Sequence, residues 1–344
     1  MKLRIDKRIT ISDNLRPKII AEISCNHNGN KKLLLKHIKE AAKNGADLVK
    51  IQTFEPKDIT IKSRDKKFLI KSGLWKNKYL WDLYKKAHTP FSWHKDAFKL
   101  AKKLNITLFS SPFSKRAVDL LERFNVKLYK IASFEITDHE LIEYVAKKRK
   151  PIILSTGMAT LEEINSAINI IKKYHNKIII LYCVSGYPTR NKEANVSSIN
   201  KFKKIYSKNL IGLSDHTDNI YSSLASTALG ACLIEKHFIV SDKIKSLDKE
   251  FSISPKALRD LRYKSQKIFE TLGKQKIGPK KNEQNSLKLR RSVFSTKEIK
   301  KGEVFTKSNL GNFRPLIGLS SKKIKTLYGK KSKKNYKKFQ PIFS

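Results

Sequence analysis

Residues 209–238 read NLIGLSDHTDNIYSSLASTALGACLIEKHF. Two short apolar runs, 210–213 and 231–234, each stop in a polar cluster that ends on a histidine, His216 in one and His237 in the other. Between them, 220–229 is a helix-length segment rich in Ala and Ser and followed by Gly230, so the unit reads as strand, helix, strand. A right-handed crossover of that length lays the two strands parallel and side by side. Both imidazoles then emerge at one carboxyl edge, where barrels and open α/β sheets keep their chemistry. A lone histidine there is more often a hydrogen-bonded structural residue. Repetition on adjacent strands favours a shared divalent cation beside Asp215 and Glu235, with positions left for water and substrate.

The same alternation runs through the preceding chain. Strands are expected at 18–23, 47–52, 106–110, 127–132, 151–154 and 177–183, with amphipathic helices at 32–44, 93–104, 115–124, 138–148 and 160–174. Thr160 and Glu163 form a capping box, and 255–272 supplies the eighth helix. Eight strand–helix repeats with polar residues at every strand exit imply a (β/α)8 TIM barrel over residues 1–275. An open doubly wound sheet would want GxGxxG after the first strand, and none is there. A long excursion, 53–91, holds two of the three tryptophans and is read as a substrate-covering loop with a packed peripheral helix at 79–87. Composition turns polar at Gly273, so 276–289 is a linker and 290–344 a small β-rich domain.

The net charge of +44 accompanies 40% hydrophobic and 9% aromatic residues, enough to bury a full core. Basic residues spread over nearly every helix face, together with abundant Ile and Asn, read as compositional drift, so no nucleic-acid partner is expected. The one dense basic run is 322–338. Three cysteines, Cys25, Cys183 and Cys232, lie far apart without a CxxC pair. That suits a reducing cytoplasm, and with no apolar leader or spanning segment neither export nor membrane insertion is expected.

The strand exits carry three cationic groups, Lys50, Lys130 and Lys236. They also carry the hydroxyls of Ser111, Ser133 and Ser155 and the carboxylates of Glu22 and Glu135. Lysines with hydroxyl donors at a barrel mouth suit a phosphate plus a carboxylate. Metal-assisted carbonyl chemistry on a phosphorylated substrate is one reading; Schiff-base aldol chemistry through a lysine is another.

At these residues the chain resembles a known family. AEISCNHNG (21–29), KIQTF (50–54), SSPF (110–113), YKIASFE (129–135), STGM (155–158), GLSDHT (212–217) and EKHF (235–238) precede RRSVFSTKEIKKGE (290–303) and RP (314–315). In that order they resemble the sialic acid synthase family of nonulosonate synthases. The resemblance implies condensation of phosphoenolpyruvate with an acylamino sugar, dependent on Mn2+ or Mg2+, on a barrel with a C-terminal antifreeze-like (SAF) domain. It makes His216 and His237 metal ligands and gives Lys50, Gln52, Ser111, Lys130, Ser133 and Ser155 to phosphoenolpyruvate. Glu22, Glu135, Ser185, Tyr187 and Asp248 would face the sugar or the reacting carbons. Arg314 would reach the acylamino group from the exchanged tail of a domain-swapped homodimer. Within the family, GLWKNKYLWDLYKKAHTPFSWH (73–94) and Ser185 in CVSGYPT (183–189) resemble the pseudaminic acid synthase branch, with N-acetylneuraminate and legionaminate synthases as the alternatives.

Overall fold

Parallel pairing sets Leu233–His237 against Lys18–Glu22, with His237 opposite Glu22, and against Leu210–Asp215, with Lys236 opposite Asp215. Those two pairings close a ring whose other strands are Leu48–Thr53, Thr107–Pro112, Tyr129–Ile131, Ile152–Ser155 and Ile178–Cys183. This computed structural model describes residues 1–273 and 277–343, in two compact units, Met1–Gly273 and Lys274–Ser344. The first unit is the expected eight-stranded parallel barrel.

The strands read as unbroken Ile/Val/Leu runs because both faces are covered. Ile20, Leu48, Phe109, Ile153, Ile179 and Leu233 point inward and fill the barrel, while Ile19, Val49, Ile51 and Ile234 point outward under the helices. Further along most strands the inward positions turn polar, at Glu22, Lys50, Ser111, Lys130, Ser155 and Glu235, and that change of chemistry creates the site. At Gly212 an added Cβ would lie 2.4 Å from the Leu233 carbonyl oxygen and 2.6 Å from Leu181, so only glycine lets the strands approach this closely.

Helix starts follow the cap rules. Ser114 accepts from the Ala117 N–H at 3.2 Å and Asp138 from the Leu141 N–H at 3.0 Å. The capping box is present, Glu163 N–H donating to Thr160 Oγ1 at 3.2 Å and Thr160 N–H to Glu163 Oε2 at 2.7 Å.

Two elements lie outside the sequence expectations. Lys2–Arg4 pairs antiparallel with Thr10–Ser12, and Ile5, Ile9 and Ile11 join the inward cluster to seal the amino-terminal end of the barrel. Three-residue strands amid charged residues carry too little periodicity to read. Helix Ser198–Ile205, between the sixth and seventh strands, shows three lysines on its exposed side and is short.

The second unit is organised by Ser292–Ser295 pairing antiparallel with Leu310–Phe313. Its small core contains Val293, Ile299, Phe305, Leu310, Tyr336 and Ile342. This small antiparallel unit fits the antifreeze-like domain that the resemblance implies. The expected boundary at 275/276 falls outside the described residues, and the expected linker holds two short turns, Lys281–Glu283 and Gln284–Leu287. No described helix is long and apolar enough to cross a membrane.

Candidate active site

The polar inward layer at the carboxyl ends of the strands is a buried charge cluster. Lys130 Nζ donates to both oxygens of Glu235 at 2.7 and 2.8 Å. Lys50 Nζ lies 3.0 Å from Glu22 Oε2 and 3.3 Å from Glu235 Oε1, and donates to Ser111 Oγ at 3.2 Å. All four charged side chains are essentially sealed from solvent, where ions persist only if paired. Burial alone would raise Glu235, but Lys130 and Lys50 outweigh it and hold the carboxyl down at about 2. Burial likewise pulls Lys50 down, yet Glu22 and Glu235 carry its ammonium above the ordinary range. For Lys130, burial wins over Glu235 and lowers the ammonium.

Above this layer stand the histidines. Their ring centroids are 5.3 Å apart. His216 Nδ1 donates to the Val184 carbonyl at 3.0 Å, which leaves Nε2 of the neutral ring with its lone pair, the arrangement of a metal-ligating imidazole. His237 Nδ1 lies 3.3 Å from Asp248 Oδ2 but is buried without a hydrogen-bond partner. The Asp248 carboxyl, which burial would raise, is held low by His237 and by Ser24 and Cys25. Two imidazoles this close, one with its tautomer fixed and one with an orphaned nitrogen, fit a divalent ion with open coordination positions. Among the described residues no group of three His, Cys, Asp or Glu side chains assembles into a metal site, so the remaining positions would fall to water or substrate.

A cavity of about 310 Å³ opens over these groups. Of the residues expected at the site, Lys50, Gln52, Lys130, Ser133, Glu135, Ser155, Tyr187, His216, His237 and Asp248 form its wall. Ser155 Oγ and Glu135 Oε2 on that wall are buried without partners, as expected of groups waiting for a ligand. Ser133 Oγ accepts from the Gly157 N–H at 3.0 Å. Burial pushes the Glu135 carboxyl up to about 7, in range for a proton donor or acceptor near neutrality.

Four expected residues are placed otherwise. Glu22 and Ser111 sit below the wall, reaching it through Lys50 and through Gln52, whose Nε2 donates to Glu22 Oε1 at 3.2 Å. Ser185 Oγ lies behind the wall, 3.9 Å from Cys183 Sγ. Arg314 is exposed in the second unit.

Two readings of the rim are corrected. Asp215 and Lys236 face away from the barrel interior. Lys236 Nζ is 3.2 Å from Asp215 Oδ1 and donates to the Thr217 carbonyl; Ser223 Oγ donates to Asp215 Oδ2 at 2.5 Å. Strand alternation requires this, since each neighbours an inward histidine.

Sequence reasoning gave too little weight to other wall residues. Glu235 is the hub of the charge cluster. Behind the wall, Cys183 Sγ lies 3.7 Å from His216 Nδ1. The long excursion adds an apolar wall that includes Phe54, Trp75, Leu83 and Tyr84. Period-two counting back from His237 finds Glu235, but nothing local predicts which excursion residues turn inward.

A carboxyl-edge cavity with paired lysines, unpartnered hydroxyl and carboxyl groups and two converging imidazoles is where a barrel enzyme keeps its chemistry. Comparison with known proteins narrows the class. The NeuB family model matches residues 37–277. Pseudaminic acid synthase of Helicobacter pylori is 40% identical over 95% of this chain and 96% of that protein. N,N'-diacetyllegionaminic acid synthase of Campylobacter jejuni is 38% identical over 94% of this chain and 98% of that one. The crystal structure of N-acetylneuraminic acid (sialic acid) synthetase from Leptospira borgpetersenii, in complex with citrate, superposes with a TM-score of 0.76 at 32% identity, covering 83% of this chain and 95% of that one. The chain belongs to the NeuB family, and it is a nonulosonate synthase, an enzyme of the transferase type.

Proposed function

We propose that the enzyme condenses phosphoenolpyruvate with 2,4-diacetamido-2,4,6-trideoxy-β-L-altropyranose and water, giving pseudaminate and phosphate. The observation that carries this is the joint wall of Lys50, Lys130, Ser133 and Ser155 beside His216 and His237 in one cavity. The likeness to pseudaminic acid synthases over nearly the whole chain supports the choice of sugar. A divalent cation, Mn2+ or Mg2+, held by the two imidazoles would supply Lewis-acid polarisation of the open-chain aldehyde oxygen.

The chain's own groups do the rest. The two ammonium groups hold the phosphate and carboxylate of the donor, with the hydroxyls of Ser133 and Ser155 as further donors. This holds the donor's methylene carbon against the aldehyde carbon, so the new bond joins C3 of phosphoenolpyruvate to C1 of the sugar. Water adds at C2, and phosphate leaves with the bridging oxygen, so the C–O bond breaks. Glu135, poised to exchange a proton near neutrality, serves the acceptor's hydroxyl or the incoming water. Glu22, beneath Lys50 and Gln52, acts through them electrostatically. The lysines are ion-paired, which counts against Schiff-base chemistry. On the same reading Arg314 serves the acylamino group in a partner's barrel, so the active species is a homodimer.

The test is phosphate release from phosphoenolpyruvate with a panel of sugars. Release with the 2,4-diacetamido altrose, abolished by chelator and by His216→Ala or His237→Ala, is the expected result. Preference for N-acetylmannosamine, or full activity in excess chelator, would overturn the reading. Legionaminate synthesis is the second reading, favoured by the 38% identity to a synthase of that acid.

A further inference from the structure

The cavity has two chemically different halves. One is the charge cluster with the imidazoles. The other is built mainly by the excursion between the second barrel strand and helix His94–Lys103, and there Phe54, Ile70, Trp75, Leu83 and Tyr84 face the space with carbon. Leu83 and Leu247 are buried against each other and Cys25, with Ile70 and Trp75 packed on them. The indole N–H of Trp75 is already committed to the Leu247 carbonyl at 3.1 Å, so the ring offers substrate only its carbon surface. Among these five side chains Tyr84 alone carries a polar atom that could answer a ligand.

Aromatic rings link the two halves. The Trp75 ring centroid is 5.6 Å from that of Tyr187, which is 4.5 Å from that of His216. Phe251 backs them, 5.2 Å from Tyr187 and 6.5 Å from Trp75. One ring therefore separates Trp75 from the histidines, which is within reach of a six-carbon chain whose aldehyde end lies at the imidazoles.

We propose that this apolar half receives the deoxygenated C6 end of the acceptor and that Trp75 is the specificity-determining residue for it. The inference rests on the acylamino-sugar reading above and assigns the feature of that sugar the excursion selects. A methyl group placed against Trp75 and Leu83 gains roughly 4-fold in affinity from burial. A hydroxyl in its place meets carbon on most sides and loses its water without a partner. An apolar pocket rejects an added hydroxyl by no more than about 100-fold, so a preference of roughly 10- to 100-fold is expected.

The experiment compares kcat/KM for the 2,4-diacetamido-2,4,6-trideoxy altrose and for its 6-hydroxy counterpart, in the wild type, Trp75→Ala and Trp75→Phe. The wild type should favour the deoxy sugar by roughly 10- to 100-fold. Trp75→Ala should bring the ratio near unity, and Trp75→Phe, which keeps an aromatic face, should retain most of it. Unaltered phosphoenolpyruvate binding in calorimetry shows that each variant is folded. A wild-type ratio near unity, or one that Trp75→Ala leaves intact, overturns the proposal.

Calorimetry with the two corresponding alditols, which lack the aldehyde and cannot react, reads the same preference without turnover. If no diacetamido sugar releases phosphate, the reading of the reaction fails. The alditol ratio still judges the apolar half: a deoxy preference abolished in Trp75→Ala upholds it, and its absence sinks it.

Discussion

Two buried lysine–carboxylate groupings meet at the last barrel strand with opposite meanings. Lys236 and Asp215 face outward beneath a helix, and their partners Thr217 and Ser223 satisfy them. Glu235, one residue before Lys236, faces inward and is gripped by Lys130 and Lys50 at the floor of a cavity that also holds orphaned polar atoms. Composition is the same in both places, and burial nearly so. What differs is whether the surrounding donors and acceptors are all matched: a closed network holds strands in register, and an open one invites a ligand.

The largest effect expected on the inward side is from Lys130→Met, which should lower kcat/KM by about 1,000-fold, roughly 4 kcal/mol of transition-state stabilisation. Lys50 alone then balances Glu22 and Glu235, so urea unfolding should show some loss of stability as well; a loss of stability with activity intact would dissolve the contrast. On the outward side the readouts exchange places. Lys236→Met leaves Asp215 buried and unpaired, so about 3–5 kcal/mol of stability should go while kcat of the folded enzyme persists, and Asp215→Leu/Lys236→Met should recover much of the loss.

A third test sharpens the inward side. Glu135→Gln should remove an inflection near pH 7 from the kcat/KM profile, with a loss of roughly 10- to 100-fold; a profile that keeps its inflection moves the proton to another group.

A last test concerns histidines outside the mouth. Burial depresses His27, His37 and His94 to about 4. Each is neutral in the fold, and His27 and His94 are bonded to Thr89 and Thr53. Below the unfolded value near 6.5 the unfolded chain takes up protons the fold refuses, so their stabilising share is full above pH 6.5 and is lost toward pH 4. Each should contribute a slope of about 1.4 kcal/mol per pH unit within that window, measured by urea unfolding at successive pH values. A flat response would show these side chains to be solvated.

The barrel and much of the site were legible because both rest on local repetition. An apolar run ending in polar residues marks a strand and its exit, and eight such runs fix the ring, so Lys50, Lys130, Ser155, His216 and His237 were found by position alone. Sidedness was equally available, yet Asp215 and Lys236 were read as rim groups when alternation turns them outward. The excursion was legible as a segment covering the site, but not which of its side chains line the cavity. Trp75, Leu83 and Phe251 meet only through the path of a long excursion, and no short-range pattern records which face of such a segment closes over a cavity. The hairpin of residues 2–12 escaped for a related reason: its isoleucines find their partners inside a barrel that the next two hundred residues have yet to build.

Gly212 sits on the strand that bears His216, two residues below Ser214, with no room for even one more carbon between its backbone and the strand that bears His237. The absence of a side chain there acts as a calliper on the gap between the imidazoles. A single methyl, far smaller than any change in charge, would spread two staves whose separation, four residues further on, decides whether two nitrogens can serve one centre.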